Sequence, residues 1–490
     1  MLQMPKIIQG GMGVGVSNWK LAQAVSRLGQ LGVVSGTALD QVLVRRLADG
    51  DEGGHMRRGL DAFPFPEMAK RIWTEYFQAG GKPAGTPYPT TPMHQRRDSR
   101  NLIELLMVSN FVEVFLAREG HLNKVGVNFL EKVQLPHLAS IYGAMLAGVG
   151  YVLMGAGIPL HIPGVLDNFA AGKAAEYKLA VTGAPADADT MMRFDPGEYA
   201  RGPLPVLERP KFLAIVSSNT LASTMLRRAS GPVDGLIIES PTAGGHNAPP
   251  RGKGALDPTG QPVYGERDRV DVAELRRLGV PFWLAGGYGS AQKLREALAE
   301  GAAGVQVGTA FAFSEESGLR HDLKKMLVVQ ASQGTAKVFT DPVASPTGFP
   351  FKVAQLAGTY SDAGVAVART RLCDLGYLRE AYWTDDGKIA YRCPAEPESS
   401  YLTKGGAVEQ TTGRKCLCNA LLANIGYPQT RADGVAEPPL VTVGDDVNRV
   451  AAFLAPGHDS YTAADVVTSL LQGAAEEAKP KADTSMSVSG

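Results

Sequence analysis

Short apolar runs recur along the first three-fifths of the chain, each closed by glycine or small polar residues. They are Lys6-Ile7-Ile8, Leu31 to Gly36, Val125 to Phe129, Tyr151 to Gly155, Phe212 to Ser217, Leu236 to Glu239, Pro281 to Gly287 and Ala303 to Thr309. Their length and β-branched content predict buried strands. Between them lie stretches with helical spacing: Trp19 to Ser26, Leu138 to Gly148, Gly164 to Ala171, Thr220 to Ala229, Val272 to Leu278 and Ala291 to Ala299. Ser17 or Asn18 is placed to cap the first of these and Asn219 the fourth, while Gly29 and Gly301 stand at helix stops. Strand and helix in regular alternation imply parallel pairing. The prediction is an α/β fold, a (β/α)8 TIM barrel with helical insertions, with an open doubly wound sheet as the structural rival.

Two stretches break the rhythm. Residues 41–120 carry several prolines and one clear helix, Leu102 to Arg118, and read as an insertion over the barrel mouth. Residues 183–210, rich in Pro, Asp and Gly, form a second excursion, preceded by an additional strand at Tyr177 to Val181. The organisation expected is a barrel over 1–370, a C-terminal extension over 371–472 and a disordered tail over 473–490, where the chain is small, charged and low in aromatics.

A barrel of this kind gathers its chemistry at the C-terminal ends of its strands, with phosphate sites after the seventh and eighth. Here those ends read Ala285-Gly286-Gly287 and Gly308-Thr309, which offer bare backbone N–H groups and helix starts to an anion. The sixth strand runs into Ala243-Gly244-Gly245-His246. Paired glycines admit a flat ligand, and histidine exchanges protons near neutral pH. The plainer reading of the same residues is a tight turn with a solvated histidine. Gly11-x-Gly13-x-Gly15 lacks the dinucleotide spacing and no acid closes the second strand, so a nicotinamide-binding domain is the weaker reading.

Charge narrows the classes further. Lys plus Arg equals Asp plus Glu, 49 each, which argues against nucleic-acid and membrane partners. The N-terminus lacks the order of a signal peptide, and no apolar run approaches the roughly 20 residues that cross a bilayer. A soluble, cytoplasmic protein is expected.

The set Ile7-Ile8-Gln9-Gly10-Gly11-Met12-Gly13, Gly126-Val127-Asn128-Phe129, Thr242 to His246, Leu284 to Gly287 and Gly304 to Thr309 resembles the nitronate monooxygenase (2-nitropropane dioxygenase) family of FMN-dependent barrels. Flavin-dependent enoyl-acyl-carrier-protein reductases are related to it. Ser345 to Pro350 is similar to an element that follows the family's barrel. The resemblance implies that Gly11, Met12, Gly13 and Asn128 lie against the flavin ring. It implies that Gly244, Gly286, Gly287, Gln306, Gly308 and Thr309 hold the ribityl and phosphate parts, with Glu239 and Gly245 also at the cofactor. His246 would be the general base, or a substrate-orienting donor in the reductases. Family members often carry Gln where this chain has Glu239, and a carboxylate beside a reduced, anionic flavin would disfavour it. The expected activity is FMN-dependent oxidation of a carbanion-like small substrate with O2. The rivals are an NAD(P)H-dependent reductase of enoyl thioesters, to which Arg251, Lys253, Arg267 and Arg269 would offer a carrier or coenzyme A phosphate site, and a phospholigand-binding barrel without redox chemistry.

All four cysteines, Cys373, Cys393, Cys416 and Cys418, fall in one stretch beyond the barrel. Zinc or an iron–sulfur cluster would explain that clustering. Against it, no Cys-x-x-Cys pair is present, and unligated thiols are the alternative.

Overall fold

The computed structural model describes residues 4–200, 202–252 and 254–476. The disordered tail expected from residue 473 lies outside the described residues from 477 onward, as does Lys253. Eight parallel strands form the central sheet: β1 (Ile7–Gln9), β2 (Gly32–Ser35), β3 (Val125–Leu130), β4 (Tyr151–Gly155), β5 (Lys211–Val216), β6 (Gly235–Glu239), β7 (Phe282–Ala285) and β8 (Gly304–Val307). Each pairs with its sequence neighbour, and β8 pairs with β1. The first and second strands close the circle through a short parallel bridge, in which Gln9 N donates to Leu31 O at 2.9 Å and Leu31 N to Ile7 O at 3.1 Å. The fold is a TIM barrel, as the alternation predicts.

Its interior is packed, as barrels of this size require. Ile8, Val33, Leu153, Leu213, Ile237 and Trp283 fill it, all nearly inaccessible. Trp283 seals the N-terminal end by donating its indole N–H to Pro5 O at 2.8 Å. A much larger apolar layer separates the strands from the helices.

The helix at Arg100–Arg118 differs from its expected place. It packs against Trp19–Arg27 and His137–Leu146 as part of the outer ring, not over the mouth. The reason lies in its sequence: Leu105, Leu106, Met107, Val108, Phe111, Val112 and Val114 are apolar around the whole circumference, so both faces demand burial. The helices before it, Leu39–Ala48, His55–Asp61 and Pro66–Tyr76, pack on it. The additional strand is real but shorter and displaced, Ala175–Lys178, paired antiparallel with Met191–Phe194 inside the second excursion. Asn18 caps the first helix by accepting from Leu21 N. The cap expected at Asn219 belongs instead to Ser218, which accepts from Leu221 N.

The stretch after residue 370 is woven into the barrel. Residues 375–378, 417–421 and 442–446 reach its mouth. The last described helix, Ala463–Glu476, packs between the helices Ala291–Ala299 and Trp19–Arg27, taking the ring position that follows β8. Among the described residues, no helix is long and apolar enough to cross a membrane.

Candidate active site

The C-terminal strand ends open into a cavity of about 200 Å³. Two smaller cavities, one around the cysteines and one behind Glu239, measure about 10 and 20 Å³. Every site residue expected from sequence, the cysteines Cys373, Cys393 and Cys416 apart, lines the large chamber: Gly11, Met12, Gly13, Asn128, Glu239, Gly244, Gly245, His246, Gly286, Gly287, Gln306, Gly308 and Thr309.

The first wall is the loop after β1. Gln9 is fully buried and fixes the loop from beneath, donating to Ser17 Oγ at 2.8 Å and accepting from Val33 N at 3.0 Å. Ser17, not used as a cap, donates to Gly10 O and accepts from Met12 N. Gly11 lies so close to Asn128 that any Cβ would run into that side chain. Gly286 has φ +88°, a left-handed conformation that favours glycine, and a Cβ there would meet Ser240 Oγ and the Ala243 backbone. Bare backbone therefore lines the chamber after β1 and after β7.

Two polar atoms in these walls are left unmatched. Asn128 Oδ1 and Gln306 Oε1 are buried and have no hydrogen-bond partner. Buried amide oxygens are ordinarily satisfied, so a ligand with donors is the natural complement. Among the described residues, no lysine or arginine lines the chamber. A phosphate would be held by backbone N–H groups after β7 and β8. The residues present thus fit a flavin mononucleotide in shape and in hydrogen-bonding need.

His246 is positioned by strand pairing. The loop after β6 runs antiparallel to the strand Phe351–Ala354, with Asn247 N donating to Pro350 O at 2.9 Å and Lys352 N to Gly245 O at 3.0 Å. The imidazole packs edge-on to Phe351, ring centres 4.7 Å apart, and its Nε2 lies 2.7 Å from Ser345 Oγ. Burial pushes its pKa down to about 4. It is therefore a neutral imidazole at physiological pH, able to accept a proton or to orient an anion by a hydrogen bond. A solvated turn histidine would have neither the aromatic wall nor the serine partner.

Several site features were not read from the sequence. Tyr377, Leu378, Leu417, Cys418 and Leu421 line the chamber from the extension, and Thr442, Val443, Gly444 and Asp446 line it from a later loop. That loop is laced to the catalytic side: Thr442 Oγ1 accepts from Gly245 N at 2.8 Å, Asp445 N donates to Thr242 O, and Thr309 Oγ1 accepts from Gly444 N at 3.0 Å. Burial raises the Asp446 pKa above the usual carboxylate range. Tyr377 donates to Asp40, which in turn meets the buried His94 at 3.2 Å. His94 also meets Asp98 at 3.0 Å. Hydrogen bonds from both carboxylates outweigh desolvation and raise its pKa to about 9, so a buried ion triad stiffens this wall.

The cysteines behave otherwise than a metal site requires. All four are free thiols around the small cavity, which has room for about one water. Among the described residues, no group of three or more His, Cys, Asp and Glu is arranged to hold a metal ion. Burial pushes the Cys416 and Cys418 thiols up. A hydrogen bond between Cys373 and Cys393 lowers the first and raises the second. Of the two readings of the cysteines, these observations favour unligated thiols over zinc or an iron–sulfur cluster, and Leu378, Leu417 and Cys418 wall both this cavity and the chamber.

Two of the four basic residues proposed for a carrier phosphate have local partners. Arg251 donates to Ser217 O at 2.9 Å and Arg267 O at 2.8 Å, and Arg269 pairs with Glu266.

With this geometry in place, the chain can be set beside known proteins. Residues 198–346 match the nitronate monooxygenase family. The match runs from β5 through β8 and includes Glu239, His246, Gly286, Gly287, Gln306 to Thr309 and Ser345. The resemblance carried by the sequence motifs is borne out, and with it a family of flavin-dependent oxidoreductases that implies FMN. Among curated proteins nothing matches the chain. Solved structures similar to it include FabK from Thermotoga maritima, 16% identical over 97% of this chain and 94% of that one, with a TM-score of 0.48. A nitroalkane oxidase from Streptomyces ansochromogenes is 15% identical over 97% of each chain, at 0.43. The enoyl reductase domain of MlnA from Bacillus amyloliquefaciens is 10% identical over 96% and 95%, at 0.44. With TM-scores under 0.5, none of these likenesses bears on what this chain binds.

Proposed function

We propose that this nitronate monooxygenase relative is an FMN-dependent oxidoreductase that oxidises a small carbanion-like substrate, such as an alkyl nitronate, with O2. The observation that carries the reading is the placement of a neutral imidazole, His246, in the same chamber as the glycine-lined walls and the unmatched Asn128 and Gln306 oxygens. The bound cofactor would supply electron acceptance from the substrate and transfer to O2. The chain's own residues do the rest. Gly11 and Gly286 leave room for close approach of a planar ring. Phe351 and the apolar extension residues keep water from the reacting atoms. His246 takes the proton of a neutral nitroalkane, or donates from its N–H to an already ionised nitronate, with Ser345 fixing the ring.

The rival enoyl-thioester reduction has less support here, since Arg251 and Arg269 are spent on local partners. The deciding experiment loads the protein with FMN, removes oxygen, and adds an alkyl nitronate or NAD(P)H in separate runs. Bleaching of the flavin by nitronate and not by nicotinamide is the expected result. Fast bleaching by NAD(P)H followed by reoxidation with an enoyl thioester would transfer the assignment to the reductases. A protein that binds no FMN would sink both.

A further inference from the structure

Glu239 ends β6 on the wall of the chamber and also borders the small cavity behind it. Among the described residues its carboxyl has no hydrogen-bond partner and no ion pair, and burial is the only influence on its titration. Of the titratable groups that line the chamber with it, Tyr288, Tyr377 and Cys418 are each pushed up by burial and carry no charge to offset a carboxylate. Behind it, Arg251 is spent on the Ser217 and Arg267 carbonyls, Asp268 accepts from the Arg251 and Gly265 N–H groups, and Tyr264 donates to Ala248 O. Across the chamber, Asp446 is tied to Thr309, and His246 is neutral and bound to Ser345. Glu239 is half-buried, and once a ligand fills the chamber a carboxylate there would be an uncompensated charge cut off from water. A carboxylic acid there costs far less, and it carries one O–H donor that nothing in the protein uses.

Resting on the flavin reading above, we propose that Glu239 stands as a neutral acid that donates a hydrogen bond to the flavin ring, so that cofactor retention is gated by pH. This resolves the electrostatic objection to an acid at a position where glutamine is expected. A protonated carboxyl and a carboxamide have nearly the same shape, and each presents a donor. The difference is that the acid loses its proton. Burial raises Glu239 to about 8, so the donor is present at pH 7 and lost as pH rises through that value. Beyond it, an acceptor-only anion faces the ring, and the penalty grows when reduction makes the flavin anionic.

The test is FMN affinity across pH 6.5–9.5, followed by quenching of flavin fluorescence, in wild type and in Glu239→Gln. The cofactor's own phosphate titrates near pH 6, below this window. Wild type is expected to weaken by about tenfold or more between pH 7 and 9.5, equivalent to about 1.4 kcal/mol. Glu239→Gln is expected to stay within about twofold. Infrared difference spectra of wild type against Glu239→Gln, without flavin, should show the C=O stretch of a protonated carboxyl at pH 7 that vanishes by pH 9.5. A flat wild-type profile, an equal step in Glu239→Gln, or a carboxylate signal at pH 7 would overturn the proposal while leaving FMN binding intact. Absence of FMN uptake at every pH would instead remove the flavin reading, and this one with it.

Discussion

Nε2 of His246 lies 2.7 Å from Oγ of Ser345, a fully buried residue supplied by a loop beyond the barrel's eighth strand. The serine hydroxyl is itself 2.8 Å from Thr347 Oγ1, so the imidazole is held at the end of a short hydroxyl chain. A ring held in this way presents one fixed edge to the chamber.

From this follows the first prediction. His246→Ala should retain FMN but lose turnover by roughly 10²–10⁴-fold, the scale of a lost proton handler. Ser345→Ala removes one hydrogen bond and should cost about tenfold. Steady-state kinetics on flavin-loaded protein measure both. A His246→Ala enzyme at full rate would leave the imidazole no catalytic part.

Glycine positions give the second. Gly11→Ala and Gly286→Ala each place a methyl group against neighbouring atoms, and the second also strains a left-handed backbone. Overpacking of this kind costs about 1–3 kcal/mol. FMN affinity should drop by about tenfold or more in each. Gly265→Ala, where a Cβ meets nothing, is the control and should bind normally. Equal affinity in all three would argue against bare backbone as the flavin's cradle.

Stability should depend on pH with opposite signs at two buried histidines. His137 donates to Leu130 O at 2.9 Å, and burial pushes its pKa down to about 4. The unfolded chain takes up a proton there near pH 6.5, so this contribution is present above that pH and lost as pH falls toward 4. His94, raised to about 9, contributes below pH 6.5 and loses its contribution as pH rises through 9. Unfolding free energies from urea titrations should therefore fall on both sides of neutrality, by about 1–3 kcal/mol on the acid side. His137→Gln should shrink the acid loss, and an unchanged acid limb would count against it. His94→Ala leaves Asp40 buried without its partner and should cost about 3–5 kcal/mol at pH 7.

The thiols supply the last. Cys373 is half-buried and is held below the usual thiol range by Cys393, whereas Cys416 is buried and pushed up. In the folded protein a thiol reagent should modify Cys373 first, and all four only after denaturation. Metal analysis of protein purified without chelator should give less than about a tenth of an equivalent of zinc or iron. A full equivalent would restore the ligand reading.

The eight barrel strands were legible because each is a short apolar run ended by glycine, and local periodicity suffices to mark that. The chamber's glycines and His246 were legible because they stand at strand ends, where a barrel places its chemistry. Leu378, Leu421 and Val443 were not, since they come from irregular segments whose position depends on contacts across more than a hundred residues, such as Gly245 with Thr442. The helix at Arg100–Arg118 was found but misplaced, because an all-round apolar surface shows that a helix is buried without showing which neighbours bury it. Glu239 was read as a charge because a sequence displays the carboxyl and not the absence of anything beside it.

The helix Ala463–Glu476 occupies the ring position that follows β8, and everything from residue 313 to 462 is spliced between the two. Order of synthesis then becomes order of assembly. A nascent chain that has made all eight strands still has a gap in its outer ring between Ala291–Ala299 and Trp19–Arg27. The same late segment carries Thr442 to Asp446, the residues that tie down the loop bearing His246. Closing the wall and finishing the chamber are thus one event near the end of translation, and a truncation that removes this helix would forfeit the chamber together with the barrel's seal.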